Sequence, residues 1–139
     1  MDYKKFGNKY VIRIDRGDEV VDSLKRVCVE NGVKLGTVSG IGAVNNVTVG
    51  LFDTTTKQYH KETFTGDHEI TALVGNVSTM NGQVYFHLHA TLSDITHQAI
   101  GGHLNQAVVS GTCECIIDAI DGEVDREFSD EIGLNLLKF

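Results

Sequence analysis

Residues 85–94 read YFHLHATLSD, and GGHL follows at residues 101–104. In the first stretch apolar and polar residues alternate, which is typical of a strand with one buried face. Residues two apart on a strand share a face, with Cβ atoms roughly 6.5–7 Å apart. His87 and His89 are therefore predicted to project together from a sheet whose other face carries Leu88 into the core.

A pair of imidazoles at this spacing can bind one metal ion, because Zn–N bonds of about 2.0–2.1 Å let both rings converge on it. His103 is the candidate for a third ligand, since it follows Gly101 and Gly102, whose flexibility predicts a loop that folds back over the sheet. Three histidines would leave a tetrahedral ion with an open position, which favours catalysis or ligand binding over a structural ion. The alternative is that all three are ordinary polar residues on a solvated sheet face.

The rest of the chain is predicted to form mostly strands. Alternating or continuous apolar patterns predict strands at residues 10–15, 69–80, 83–94 and 107–121. Asn-Gly at residues 81–82 is a strong hairpin signal between two of them.

One segment, residues 18–32, has helical periodicity instead. Asp18 is positioned to cap the start of this helix, and Gly32 suits its end. Its apolar stripe, which must lie on the sheet, consists of Val20, Val21, Leu24, Val27 and Cys28. No repeat, linker or low-complexity block interrupts the chain, so residues 1–139 are predicted to form a single α+β domain with a mostly antiparallel sheet and one main helix.

Composition narrows the class of function. A net charge of −7 argues against a surface built to bind the phosphate backbone of nucleic acids. Three cysteines make no disulfide framework, and with no signal peptide apparent we expect a reducing cytoplasm. No apolar run of about 18 residues is present, so no membrane span is predicted.

Three further motifs are less informative. Gly40-x-Gly42 superficially resembles a dinucleotide-binding loop, but the third glycine is missing and an extended segment follows, so a kink with close backbone approach is the better interpretation. Cys113 and Cys115 are interpreted as buried thiols on a strand. Glu69 begins a strand and is expected to be solvated; only if the fold brings it to the histidines would it act as a partner of the ligands or as a general base.

Taken together, these residues resemble one known family, the PPC domain (DUF296), which is fused to AT-hooks in plant nuclear proteins. The resemblance is carried in order by GIGAVNNVTVG (40–50), GDHEITALVGNVS (66–78), HLHATLSD…IGGHL (87–104) and AVVSGTCECII (107–117). It extends over residues 8–120.

The resemblance implies an α+β fold around an antiparallel sheet, assembled as a homotrimer. It also implies a metal site, carried here by His87, His89 and His103. Glu69 matches the glutamate of the family's GRFEI block, whereas Asp67 and His68 replace its arginine and its aromatic residue.

We therefore expect a cytoplasmic homotrimer with a three-histidine site for a divalent metal, zinc fitting best. A small ligand would bind at the ion, with or without a reaction. One alternative is a DNA-binding regulatory protein of the AT-hook-associated type, although the chain has no proline and no basic AT-hook core of its own. Another is a trimerisation module in which metal is incidental.

Overall fold

The computed structural model describes residues 1–139 and contains eight strands and one helix. The elements are β1 (Asp2–Phe6), β2 (Lys9–Asp15), α1 (Val20–Asn31), β3 (Gly36–Asp53), β4 (Gln58–Met80), β5 (Gln83–Ser93), β6 (Ala99–Ala119), β7 (Arg126–Ser129) and β8 (Leu134–Leu137). Six strands form one sheet in the order β1-β2-β6-β3-β4-β5, and β7 pairs with β8. Every pairing is antiparallel, which confirms the predicted α+β class.

Strand β6 closes part of this sheet into a ring. Residues 99–103 of β6 pair with residues 89–93 of β5, while the same strand also pairs with β3 along most of its length. Strands β3, β4, β5 and β6 therefore surround a common interior. Beyond the ring, residues 112–118 of β6 pair with β2, which extends the sheet to β1.

Helix α1 packs on this sheet through the predicted stripe. Val20, Leu24, Val27 and Cys28 are all fully buried, and Gly32 ends the helix in the left-handed region at φ 66°, as predicted. These side chains join the inward residues of the sheet in a single apolar core.

The cap at the start of the helix differs from the expectation. Glu19, not Asp18, is the N-cap; its carboxylate accepts the N–H of Asp22 at 2.6 Å and the N–H of Ala107 at 2.8 Å. Asp18 instead accepts a hydrogen bond from the amino group of Met1 at 2.7 Å. The longer side chain of Glu19 reaches both α1 and β6, so one residue caps the helix and ties it to the sheet.

Side chains of β5 and β6 alternate as the sequence indicated. On β5, Leu88, Ala90 and Leu92 are buried, which leaves the intervening residues on the outward face. The Sγ atoms of Cys113 and Cys115 lie 3.7 Å apart within the core, so these thiols are buried as predicted. The hairpin predicted between β4 and β5 turns at residues 81–82, where both residues have positive φ.

An apolar row crosses the outward face of the sheet. Val11 on β2 pairs with Ile116 on β6, Ile116 with Ser39 on β3, and Ser39 with Val74 on β4. The apolar members Val11, Ile116 and Val74 are 47%, 42% and 54% exposed. We call these three residues the outward row; Val74 pairs in turn with His89 of β5.

The hairpin of β7 and β8 folds over the outward side of β4 and β5. At its start, Arg126 donates hydrogen bonds to Ser78 and Asn76 of β4, and at its turn Lys57 donates to the carbonyl oxygens of Glu131 and Ile132. Helix α1 is the only helix, and its 12 residues are too few to cross a membrane.

Candidate metal centre and its cavity

The structure brings His87, His89 and His103 together on the outward face of the ring. His87 and His89 are neighbours on one face of β5, and His103 of β6 lies directly across from His89. The distances between the three ring centroids are 5.1, 5.3 and 5.6 Å. One nitrogen from each ring lies within 4.8 Å of the other two. We call these three residues the histidine cluster.

The spacing of the cluster suits a small divalent cation. Two nitrogens bound to a tetrahedral zinc ion at about 2.0–2.1 Å are roughly 3.3 Å apart. The Nε2 atoms of His87 and His89 are 3.2 Å apart, close to that value. Three imidazoles are ligands that zinc, nickel, copper and iron all accept.

Electrostatics favour the neutral, metal-binding form of the cluster. Burial lowers the pKa of His87, and coulombic repulsion from His89 and from Arg126 lowers it further. Burial likewise lowers the pKa of His103, with smaller contributions from the other two histidines. Metal binding requires neutral imidazole, so these shifts reduce competition from protons near neutral pH.

Glycines fix the third histidine in place, but not in the way the sequence suggested. Gly101 and Gly102 lie in strand β6 rather than in a loop. A Cβ on Gly101 would lie 2.7 Å from the carbonyl oxygen of Ala90 on β5, and one on Gly102 would lie 2.7 Å from that of Gly50 on β3. The glycines are thus needed for close approach on both sides of the strand, and the expected flexible loop is wrong.

The histidine cluster opens onto a cavity of about 690 Å³, which we call the histidine cavity. Apolar residues from β3 and from the C-terminal hairpin line it together with the three histidines and several polar residues. The apolar wall consists of Leu51, Phe52, Leu134, Leu136 and Leu137. A cavity with an apolar wall and a few convergent polar groups is the usual form of a small-molecule site.

Arg126 is a cavity residue that the sequence did not reveal. It is 7% exposed; its Nε donates to Ser78 Oγ at 2.7 Å, and its two terminal nitrogens donate to the Asn135 carbonyl at 2.8 Å and to Asn76 Oδ1 at 2.9 Å. Its guanidinium carbon lies 4.7 Å from the centroid of the Tyr85 ring. A lone arginine among acidic residues is too weak a signal to identify this residue from the sequence.

Glu69 does not lie at the histidine cluster. It pairs with Ser93, four residues beyond His89 on β5, which at about 3.3 Å per residue is roughly 13 Å away. Its side chain is exposed and does not line the histidine cavity. The expected role as general base or as partner of the ligands is therefore not supported within one subunit, because sheet register carries the residue too far along the strand.

The remaining histidines lie outside the cluster. His60 is exposed on β4, and the Nδ1 atom of His68 is 2.8 Å from the Gly66 carbonyl oxygen. His97 occupies a turn at φ 63°. None of the three lines the histidine cavity. Burial raises the pKa of the Cys28 thiol to about 12, which makes this residue a poor nucleophile.

Comparison with known families and structures gives consistent matches. The family model described as the Plants and Prokaryotes Conserved (PCC) domain matches residues 1–121. This range includes the whole histidine cluster but ends before β7. A search of curated proteins found no match.

Several solved structures share the fold over almost their full length. A Bacteroides thetaiotaomicron protein provisionally named as DNA-binding is 38% identical, with 99% of this chain and 96% of that chain covered and a TM-score of 0.97. A metal-containing protein from Archaeoglobus fulgidus is 30% identical, with 100% and 99% covered and a TM-score of 0.90. A plant- and prokaryote-conserved (PPC) protein from Pyrococcus horikoshii is 26% identical, with 99% and 95% covered and a TM-score of 0.87.

The close approach at Gly102 can be tested by adding a single methyl group. We expect Gly102→Ala to lower the free energy of unfolding by about 1–3 kcal/mol, because the new Cβ would collide with the Gly50 carbonyl and force β6 away from β3. Urea unfolding measures the change. The matched control is Gly111→Ala on the same strand, where the nearest atom, the Ala43 Cβ, is 3.4 Å away. Equal losses in the two variants would contradict this account of the glycine pair.

Proposed function

The chain belongs to the family of Plants and Prokaryotes Conserved domains, and on that premise we propose that it binds a divalent metal ion through His87, His89 and His103 and a small ligand at that ion. The family predicted from the sequence is thereby confirmed. The observation that carries the proposal is the convergence of three imidazoles from two strands on one cavity of about 690 Å³. The metal-containing relative from Archaeoglobus fulgidus supports it.

Zinc is the ion we propose, because it accepts three imidazoles and a fourth, exchangeable ligand. When bound, such an ion would act as a Lewis acid toward an oxygen or an anion in the open position. The histidine cavity contains no carboxylate, which is a common general base, and the three thiols are buried in the core. We therefore propose ligand binding and assign no reaction.

Metal content is the direct test of the histidine cluster. For protein purified without a histidine tag we expect about one equivalent of zinc per chain, and its loss in the His87→Ala/His89→Ala double variant, because one remaining imidazole cannot hold the ion. Elemental analysis measures both. The control is His60→Ala, an exposed histidine on β4 that lies outside the cavity.

Two results would contradict the metal site. Zinc retained by the double variant would place the ion elsewhere, and absence of metal from the wild-type protein after incubation with zinc would return the three histidines to a solvated sheet face. Thermal unfolding of each variant shows whether the loss of metal accompanies loss of the fold.

We propose further that residues 1–139 act as one domain and assemble as a homotrimer, with the outward row covered by a neighbouring subunit. The support is physical: Val11, Ile116 and Val74 align across three strands on the face opposite α1, where no element of the same chain covers them. Exposed apolar residues aligned across a sheet face in this way are typical of an interface between protein chains.

A charge placed in the outward row should break the assembly. We expect wild-type protein to have about three times the subunit mass of 15.2 kDa in light scattering, and Val74→Lys to shift it to the mass of a single chain, because burying an unpaired ammonium group is costly. Val29→Lys on α1 is the control, since Val29 is 62% exposed on the opposite side of the sheet. A trimer that survives Val74→Lys, or a monomeric wild type, would contradict the proposed interface.

DNA binding is the second candidate function, and the name of the Bacteroides thetaiotaomicron relative favours it. Charge disfavours it, because neutralisation of phosphates supplies most of the affinity and the chain carries 19 acidic residues against 12 Lys and Arg.

We expect no mobility shift of an AT-rich duplex at micromolar protein and about 0.15 M salt. The same chain with a basic AT-hook segment appended is the positive control. A shift by the unmodified chain that weakens steeply as salt is raised would favour DNA binding over our proposal.

A further inference from the structure

Arg126 is a buried cation without an anionic partner. Its three hydrogen bonds go to a hydroxyl, an amide oxygen and a backbone carbonyl, all of them neutral. It takes part in none of the salt bridges of the chain. A guanidinium has five N–H groups, so two of them remain available for a further acceptor.

Keeping this charge away from water is unfavourable. Burial lowers the pKa of Arg126, which is the sign of a charged form that has lost solvation. The stacking of its guanidinium on Tyr85 offsets part of the cost, but a carboxylate partner would offset more. A position that holds an arginine at 7% exposure without a counter-charge is therefore suited to receive an anion from outside the chain.

The cavity around Arg126 has the opposite charge from the rest of the molecule. Of the 19 Asp and Glu residues in the chain, none lines the histidine cavity. The carboxylates that flank Arg126 in sequence face elsewhere: Asp125 contacts Thr79, and Glu127 pairs with Lys138. A cation on three neutral imidazoles would add to this positive potential.

The apolar wall completes the description of the ligand. Leu51, Leu134, Leu136 and Leu137 are between 38% and 64% exposed although they line a cavity, so an occupant with apolar surface would remove them from water. A purely inorganic anion would leave this wall uncovered. An anion with a short hydrocarbon tail matches both the charge and the wall.

From these observations we infer that the histidine cavity takes a small aliphatic carboxylate, with Arg126 binding the carboxylate group and the leucine wall covering the tail. This inference rests on the proposed function, because it takes the cavity beside the histidine cluster to be a ligand site. Two free N–H groups on one guanidinium match the two oxygens of a carboxylate. Arg126 is thereby the residue that selects anionic over neutral ligands.

Three probes of equal length test the charge preference in wild-type protein loaded with zinc: hexanoate, hexanamide and hexylamine. We expect isothermal titration to show at least tenfold tighter binding of hexanoate than of hexanamide, because a charge-assisted hydrogen bond contributes more than a neutral one. We expect no binding of hexylamine, whose charge has the same sign as that of Arg126. Inorganic phosphate is the fourth probe, and we expect it to bind more weakly than hexanoate. Equal affinity for hexanoate and hexanamide, or tighter binding of phosphate, would overturn the inference.

Variants then locate the preference. Arg126→Gln should weaken hexanoate at least tenfold, and Arg126→Lys, which keeps the charge, should weaken it less. Arg26→Gln is the control and should change nothing, since Arg26 is 61% exposed on α1. Unchanged hexanoate binding in folded Arg126→Gln, verified by its thermal unfolding, would overturn the inference. If that variant does not fold, the wild-type comparison repeated on zinc-free protein decides, because no ion is then present to bind the carboxylate.

Zinc content separates this inference from the proposed function. Arg126→Gln should retain zinc at the wild-type level, because the histidine cluster is intact. A wild-type protein that binds zinc but does not prefer hexanoate refutes the inference alone. One that binds no zinc but prefers hexanoate refutes the proposed metal site and supports the role of Arg126.

Discussion

Strand β6 is held on both sides at distances that leave no room for a side chain, and the rest of the structure depends on this constraint. At Gly101 the approaching carbonyl belongs to β5, and at Gly102 it belongs to β3. Because a slip of one residue would turn every side chain of the strand to the other face, the register is fixed there. His103 consequently lies opposite His89, and the spacing of the cluster follows from pairing in the sheet.

The sequence predicted those features that depend on local periodicity. Alternation around His87 and His89, the apolar stripe of α1 and the hairpin at residues 81–82 all reappear in the structure. Features set by the exact pairing of residues between strands could not be predicted from local patterns in the sequence. Glu69 pairs with Ser93, four residues beyond His89, and local alternation alone does not give this partner, because an extra residue of β4 between Ile70 and Ala72 shifts the pairing by one.

Arg126 illustrates the same limit at the C-terminal end of the chain. Its partners Ser78 and Asn76 lie 48 and 50 residues earlier, so neither periodicity nor a motif connects them. They meet because the β7–β8 hairpin folds back on β4 and β5. The resulting cavity excludes every carboxylate of a chain whose net charge is −7, and this separation of charge favours a small anion inside over a nucleic acid outside.

We propose that one metal ion sits among His87, His89 and His103. Anomalous diffraction from crystals of protein purified without a tag, recorded on both sides of the zinc absorption edge, locates such an ion without prior assumption. We expect one strong anomalous peak per chain, about 2.0–2.1 Å from a nitrogen of each of the three imidazoles. A peak at any other position, or no peak in crystals grown with zinc, would contradict it.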